Sequence, residues 1–288
     1  MVATIEYIEE VIAAYEQAAE ANRKTPGREG NVVVLTPDLA DDVMITADLH
    51  GNRRNFNLIK KTADLAARPR RHLILQEVCH GGPTYPTNGG CMSHAMLEDV
   101  AKLKVQFPER VHFLLSNHEL AEVTDYPILK SKKMLNLLFR LGLQQMYGPA
   151  TEKVREAYIE FLRSCPLAVR LPSDIFVCHS LPEATDSRGF DIGVFQRPLG
   201  SLDFKEQGDV FRLVWGRDYR PENARAFARL VNARVLVHGH DPCEEGYRVP
   251  NDLQVILDCN CEQARYVVLP VAEGLTHAQV VEQIRPLS

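Results

Sequence analysis

The sequence lacks the features that would place it in a special class. No stretch approaches the roughly 18–20 apolar residues of a membrane-spanning helix. No membrane partner is therefore expected. The opening MVATIEYIEEV is acidic, without a basic start or a long apolar run, and does not read as a secretory leader. The seven cysteines are an odd number scattered over 288 residues. That excludes a small disulfide-framed scaffold and favours a reducing, cytoplasmic setting. Positive charge is not in excess: the formal net charge is −5. No general attraction for nucleic acid or an anionic surface is expected. Repeats and low-complexity segments are absent, and there is a single tryptophan, Trp215.

What remains is an ordinary globular balance, 45% hydrophobic and 25% charged, with length enough for a large core. Residues 4–19 predict an amphipathic helix that Thr4 can cap, with Ile5, Ile8, Ile12 and Tyr15 on one face. The polar breaker RKTPGREG follows at 23–30. Residues 1–30 therefore read as a helix and linker added to a single domain over 31–288. Within that domain, apolar runs at 31–35, 43–47, 72–76, 111–115, 175–178, 234–238, 253–257 and 265–269 predict strands. Helical patterns lie between them at 54–67, 93–106, 131–146, 152–163 and 222–232. Strands alternating with helices predict a layered α/β fold.

The chemistry gathers where the runs end. Strand 43–47 leads into ADLHGN, 72–76 into EVCHGG, 111–115 into SNHE, 175–178 into HS and 234–238 into GHD. The candidates so delivered are Asp48, His50, Glu77, Asn117, His118, Glu119, His179, His238 and His240. Ligands of α/β sheets sit beyond the carboxyl ends of strands. One such His is usually structural; five polar strand ends together point to a site. Asp, Glu, Asn and His suit Mn, Fe or Zn better than Ca. Two such ions clamp a phosphoryl group during in-line attack, and a neighbouring His can protonate the departing oxygen.

Read in order, Asp48-Leu49-His50-Gly51, Gln76-Glu77-Val78-Cys79-His80-Gly81-Gly82, Ser116-Asn117-His118-Glu119, Val177-Cys178-His179 and Gly239-His240-Asp241-Pro242 resemble the motifs of the calcineurin-like metallophosphoesterases. Within these, the sequence looks most like the PPP-type serine/threonine phosphoprotein phosphatases. The likeness spans roughly residues 31 to 270. It implies a four-layer sandwich, with two mixed β-sheets flanked by helices. It also implies two divalent metal ions and metal-bound hydroxide that attacks phosphorus directly. Carried over by position, Asp48 and His50 would hold the first ion and Asn117, His179 and His240 the second. Glu77 would bridge them, Asp48 would share in catalysis, and His118 would protonate the leaving group. The substrate would be a phosphorylated protein or a small phosphoester.

The second motif departs from the family pattern. Gln76 stands for Gly, Glu77 for Asp, His80 for the Asp that orients the catalytic His, and Gly81 for an Arg that grips phosphate. Ser116 also replaces a Gly in the third motif. Losing a charge-assisted Arg contact removes a strong anchor. Arg217, Arg53 and His80 are the candidate replacements. Cys79, His80, Cys91 and His94 form a rival zinc set at an unusual spacing. Two other functions stay open at this stage. One is hydrolysis of dinucleoside polyphosphates. The other is a non-catalytic phosphate- or partner-binding module with a decayed metal site.

Overall fold

The computed structural model describes residues 2–288. Its strands are β1 (Arg28–Glu29), β2 (Val32–Val34), β3 (Asp42–Ile45), β4 (Arg71–Leu75), β5 (Val111–Phe113), β6 (Leu129–Lys130), β7 (Lys133–Met134), β8 (Ala168–Leu171), β9 (Ile175–Cys178), β10 (Val235–His238), β11 (Tyr247–Asn251), β12 (Gln254–Leu257), β13 (Arg265–Pro270) and β14 (Ile284–Pro286). One sheet has the order β1-β2-β8-β9-β10-β12-β11 and the other β14-β13-β3-β4-β5; β6 and β7 pair as a separate hairpin. Helices flank these mixed sheets, giving the expected metallophosphoesterase sandwich.

Each sheet has a parallel centre. β3, β4 and β5 run parallel in one, and β9, β10 and β12 in the other. The central strands are buried on both faces, which is why they read as unbroken apolar runs. Antiparallel neighbours close the flanks: β13 on β3, β8 on β9 and β11 on β12. The first six helices are α1 (Ile5–Arg23), α2 (Arg53–Ala63), α3 (His94–Gln106), α4 (Asn117–Thr124), α5 (Leu135–Tyr147) and α6 (Thr151–Ser164).

The N-terminal helix corrects one expectation. Thr4 caps it, its Oγ1 accepting from the Tyr7 amide at 3.3 Å. Its buried face is Val11, Tyr15, Ala18, Ala19 and Asn22, whereas Ile5 is 77% exposed. The Tyr15 ring lies 6.1 Å from that of Tyr158 and 5.9 Å from that of Phe161. Asn22 donates to the Ser164 hydroxyl at 2.9 Å. The face of α1 that packs on the core is thus its Tyr15 and small-residue stripe rather than the isoleucine row. Among the described residues no helix is long and apolar enough to cross a membrane.

Candidate active site

Parallel strands of both sheets release their polar residues into one seam. β3 leads to Asp48 and His50, β4 to Glu77, and β5 to Asn117 and His118 at the start of α4; β9 leads to His179 and β10 to His240. The turns that do this are sharp. His50, Glu77 and His240 have φ of 42°, 36° and 67°, left-handed values that non-glycine residues hold only under tertiary constraint. The constraint is visible. The amides of Leu49 and His50 donate to the Glu77 carbonyl at 2.8 and 3.0 Å. Glu119 Oε1 accepts from the amides of Val78 and Cys79, each at 2.9 Å. Gly239 is required by close approach, because a Cβ there would stand 2.5 Å from Asp48 Oδ1. That oxygen accepts from the His240 amide at 3.0 Å.

Glu77 is the meeting point. Its Oε1 lies 3.2 Å from His50 Nε2 and 3.3 Å from His118 Nε2, and its Oε2 lies 2.8 Å from His179 Nε2. Two donor groups share it: His50–Glu77–His118 and Glu77–His179–His240. Asn117 Oδ1 joins the second, 2.8 Å from His179 Nε2 and 3.0 Å from His240 Nδ1. Donors bound to a common ion about 2.1 Å away stand roughly 3 Å from one another.

The far nitrogens of the rings identify the tautomers. His50 Nδ1 donates to the Cys79 carbonyl at 3.2 Å, and His240 Nε2 to the Trp215 carbonyl at 3.3 Å. Gln76 Nε2 donates to the Thr46 carbonyl, so Gln76 Oε1 is free to accept from His179 Nδ1 at 3.1 Å. Each ring therefore turns a lone pair towards Glu77, with its other nitrogen held by an acceptor, as ligating histidines are held. Glu77 Oε2 is buried without a hydrogen-bond donor. His179 Nε2 is close to it but not aligned to donate. An orphaned carboxylate oxygen ringed by imidazole and amide lone pairs fits a divalent cation.

The electrostatics agree. Burial first, then Asp48 and Glu119, push the Glu77 carboxyl well above its usual range. Burial raises Asp48 to about 8, against the relief given by the His240 amide. Burial lowers His50 to about 4 and holds His118, His179 and His240 well below their usual value. These are buried acids among neutral imidazoles, an arrangement that calls for positive charge from elsewhere.

The three candidate phosphate contacts fare differently. Arg217 stands at the rim, 47% exposed, donating to the His240 carbonyl at 3.2 Å. Arg53 turns away: it pairs with Asp99 and lies over the Phe56 ring. His80 is buried, with Nδ1 against His118 Nδ1 and Nε2 against Glu122, so neither ring nitrogen is left for a phosphate. Arg53 and His80 are thus engaged by other partners, and Arg217 is the one of the three left at the rim. The rival zinc set does not assemble among the described residues. His94 is taken by Glu98 and Tyr85 instead. His238 closes β10 outside both donor groups, its Nδ1 3.4 Å from the Cys178 carbonyl. The sequence reading passed over the support given by Gln76, Glu119 and Glu122. The i, i+4 spacing of His118 and Glu122 was the one available signal.

Residues 42–244 match the model of the family described as calcineurin-like phosphoesterase. The chain belongs to that family. It is accordingly a phosphoesterase, of a family that uses divalent metal ions. Among solved structures it is similar to a protein serine/threonine phosphatase from Saccharomyces cerevisiae with similarity to human phosphatase PP5. The TM-score is 0.70 at 14% identity, covering 96% of this chain and 88% of that one. It is also similar to the cold-active protein-tyrosine phosphatase of a psychrophilic Shewanella species, with a TM-score of 0.58 at 14% identity over 93% of this chain and 84% of that one. At such identities the likeness is one of fold. No curated protein matches the chain in sequence.

Proposed function

We propose that this phosphoesterase is a phosphomonoesterase of the serine/threonine protein phosphatase type, with two divalent ions (Mn, Fe or Zn) as cofactors. The observation that carries this reading is the sharing of Glu77 by two donor groups, with His118 Nε2 beside it. Asp48 and His50 would hold one ion and Asn117, His179 and His240 the other, with Glu77 between them. Bound there, the ions supply charge neutralisation for the phosphoryl group and a nucleophile at neutral pH. The protein does the rest. Gln76 and the Trp215 carbonyl fix two ligand rings. Arg217 at the rim offers a cation to the entering phosphate. His118 presents Nε2 on the same side, where a proton can be handed to the departing ester oxygen.

The retained donor geometry weighs against a decayed binding module, since a site without ion chemistry has no need of three oriented imidazoles. The test is hydrolysis of p-nitrophenyl phosphate with Mn²⁺, with chelator, and by Asp48→Asn, followed by phosphoserine and phosphotyrosine peptides and a dinucleoside tetraphosphate. Metal-dependent turnover that vanishes in Asp48→Asn, with preference for phosphoserine, is expected. Cleavage of the tetraphosphate alone would replace this reading with the dinucleotide one. Absence of turnover on all of them would leave a binding module.

A further inference from the structure

His118 does not stand alone. Its Nδ1 lies 2.9 Å from His80 Nδ1, and His80 Nε2 lies 2.8 Å from Glu122 Oε1. The side chains of His80 and Glu122 are fully buried. His118 and Glu122 are four residues apart on α4 and so share a helix face; the His80 ring sits between them, edge-on to Phe139 at 5.3 Å. His80 reaches this place through a left-handed backbone, φ 63°, and its amide donates to the Ser93 hydroxyl at 3.0 Å.

The direction of the chain of bonds follows from its far end. Asn136 Oδ1 accepts from the Ile128 amide at 2.8 Å, so its Nδ2 points to Glu122 Oε1 at 3.1 Å. The Tyr158 hydroxyl donates to Glu122 Oε2 at 3.0 Å. Glu122 is therefore an acceptor on every side, and His80 Nε2 must donate to it. A neutral His80 then has a lone pair on Nδ1, and His118 Nδ1 must donate to that. His118 is left with Nε2 facing Glu77 and the reaction side.

We propose that Glu122 and His80 are positioning residues for the hydrolysis: Glu122, acting through His80, sets the orientation and tautomer of His118, so that Nε2 meets the leaving oxygen. This rests on the reading of His118 as the proton donor. In the step itself Nε2 takes up the proton released as water adds to phosphorus and passes it to the departing oxygen as the P–O bond breaks, while Nδ1–H stays bonded to His80. Water adding to phosphorus supplies that proton over the cycle, and ester plus water gives alcohol plus phosphate. In this way the chain supplies, from α4 and a second imidazole, a support that a carboxylate at position 80 would have given directly.

The experiment compares kcat/KM for phenyl phosphate, whose leaving group needs a proton, with 2,4-dinitrophenyl phosphate, whose leaving group does not. It uses the metal-loaded wild type, Glu122→Gln, His80→Asn and His118→Gln, with bound metal and Tm measured on each. Glu122→Gln and His80→Asn are expected to lose about 10²-fold on phenyl phosphate, far less on the dinitro ester, and to keep their metal. Equal losses on both esters, or loss of metal, would make the pair merely structural and overturn the proposal. If His118→Gln itself shows no dependence on leaving group, the assignment of His118 as donor fails instead. A ¹⁵N NMR tautomer assignment on the zinc-loaded wild type does not depend on any variant folding. Protons on His80 Nε2 and His118 Nδ1 are expected; a proton on His80 Nδ1 would refute the relay.

Discussion

The two donor groups that meet at Glu77 are held in different ways. Asn117, His179 and His240 form a closed half: the His179 side chain is wholly buried, and its ring and that of His240 are fixed by Gln76 and the Trp215 carbonyl. His50 and His118 form a more open half, their side chains 18% and 11% exposed. The closed half draws on both sheets, with Asn117 from the β5 end and the two histidines from β9 and β10. Preorganised, dry donors hold an ion; partly open donors can also meet a substrate. The altered second motif serves both halves, Gln76 behind His179 and His80 behind His118. A segment that reads as lost chemistry is, in three dimensions, support for each side.

The largest expected effect breaks the two halves apart. His179→Ala should bring turnover to background and strip bound metal, whereas His50→Ala should lose turnover but keep more of its metal. Elemental analysis of the purified variants beside p-nitrophenyl phosphate kinetics checks this, and equal metal loss would remove the distinction. Gln76→Ala acts behind the closed half and should cost about 10–100-fold in metal affinity or activity, the usual scale for an outer partner of a ligating His.

A smaller effect concerns the position where an anchoring Arg is missing. A Cβ at Gly81 would stand 2.3 Å from the His50 carbonyl, and one at Gly82 would stand 2.4 Å from the Gly51 carbonyl. The two motif turns are packed backbone against backbone. Gly81→Arg, which writes the family residue back, should therefore reduce activity and cost about 1–3 kcal/mol in stability, as overpacking does. Thermal melting and kinetics of the single variant decide it; a gain in activity would show that the turn is free to open.

Much of this arrangement is legible in the one-dimensional pattern, for a physical reason. Parallel strands buried on both faces are continuous apolar runs, so the runs at 43–47, 72–76, 111–115, 175–178 and 234–238 each overlap a strand, and the residues after it mark the seam. Edge pieces were missed because their partner defines them: β11, with its exposed Arg248 and Val249, and β14 have no apolar alternation of their own. α4 was missed for a different reason. Asn117, His118, Glu119 and Glu122 are polar yet buried, so a helix that turns its charged residues inward reads as a loop. The same inversion hid the Glu122–His80 contact, because an acid three residues past a motif looks solvated. The buried face of α1 is rotated from the expected one by about half a residue's turn, since alanines carry the packing there and isoleucines lie at its margin.

The smallest effect expected lies at the rim. Arg217 donates to the carbonyl of His240, a closed-half residue, yet nearly half of its side chain meets solvent. A charge-assisted contact to phosphate made there is screened by water and is worth less than a buried one. It is also made to ground state and transition state alike, because the phosphate is charged throughout. Arg217→Ala should accordingly raise KM by up to about 10-fold and leave kcat within about 2-fold, the signature of uniform binding. A fall in kcat with KM unchanged would instead mean that Arg217 acts through the His240 carbonyl on the donor cage. The rim would then belong to the closed half, and the division between a holding side and a substrate-facing side would have to be redrawn.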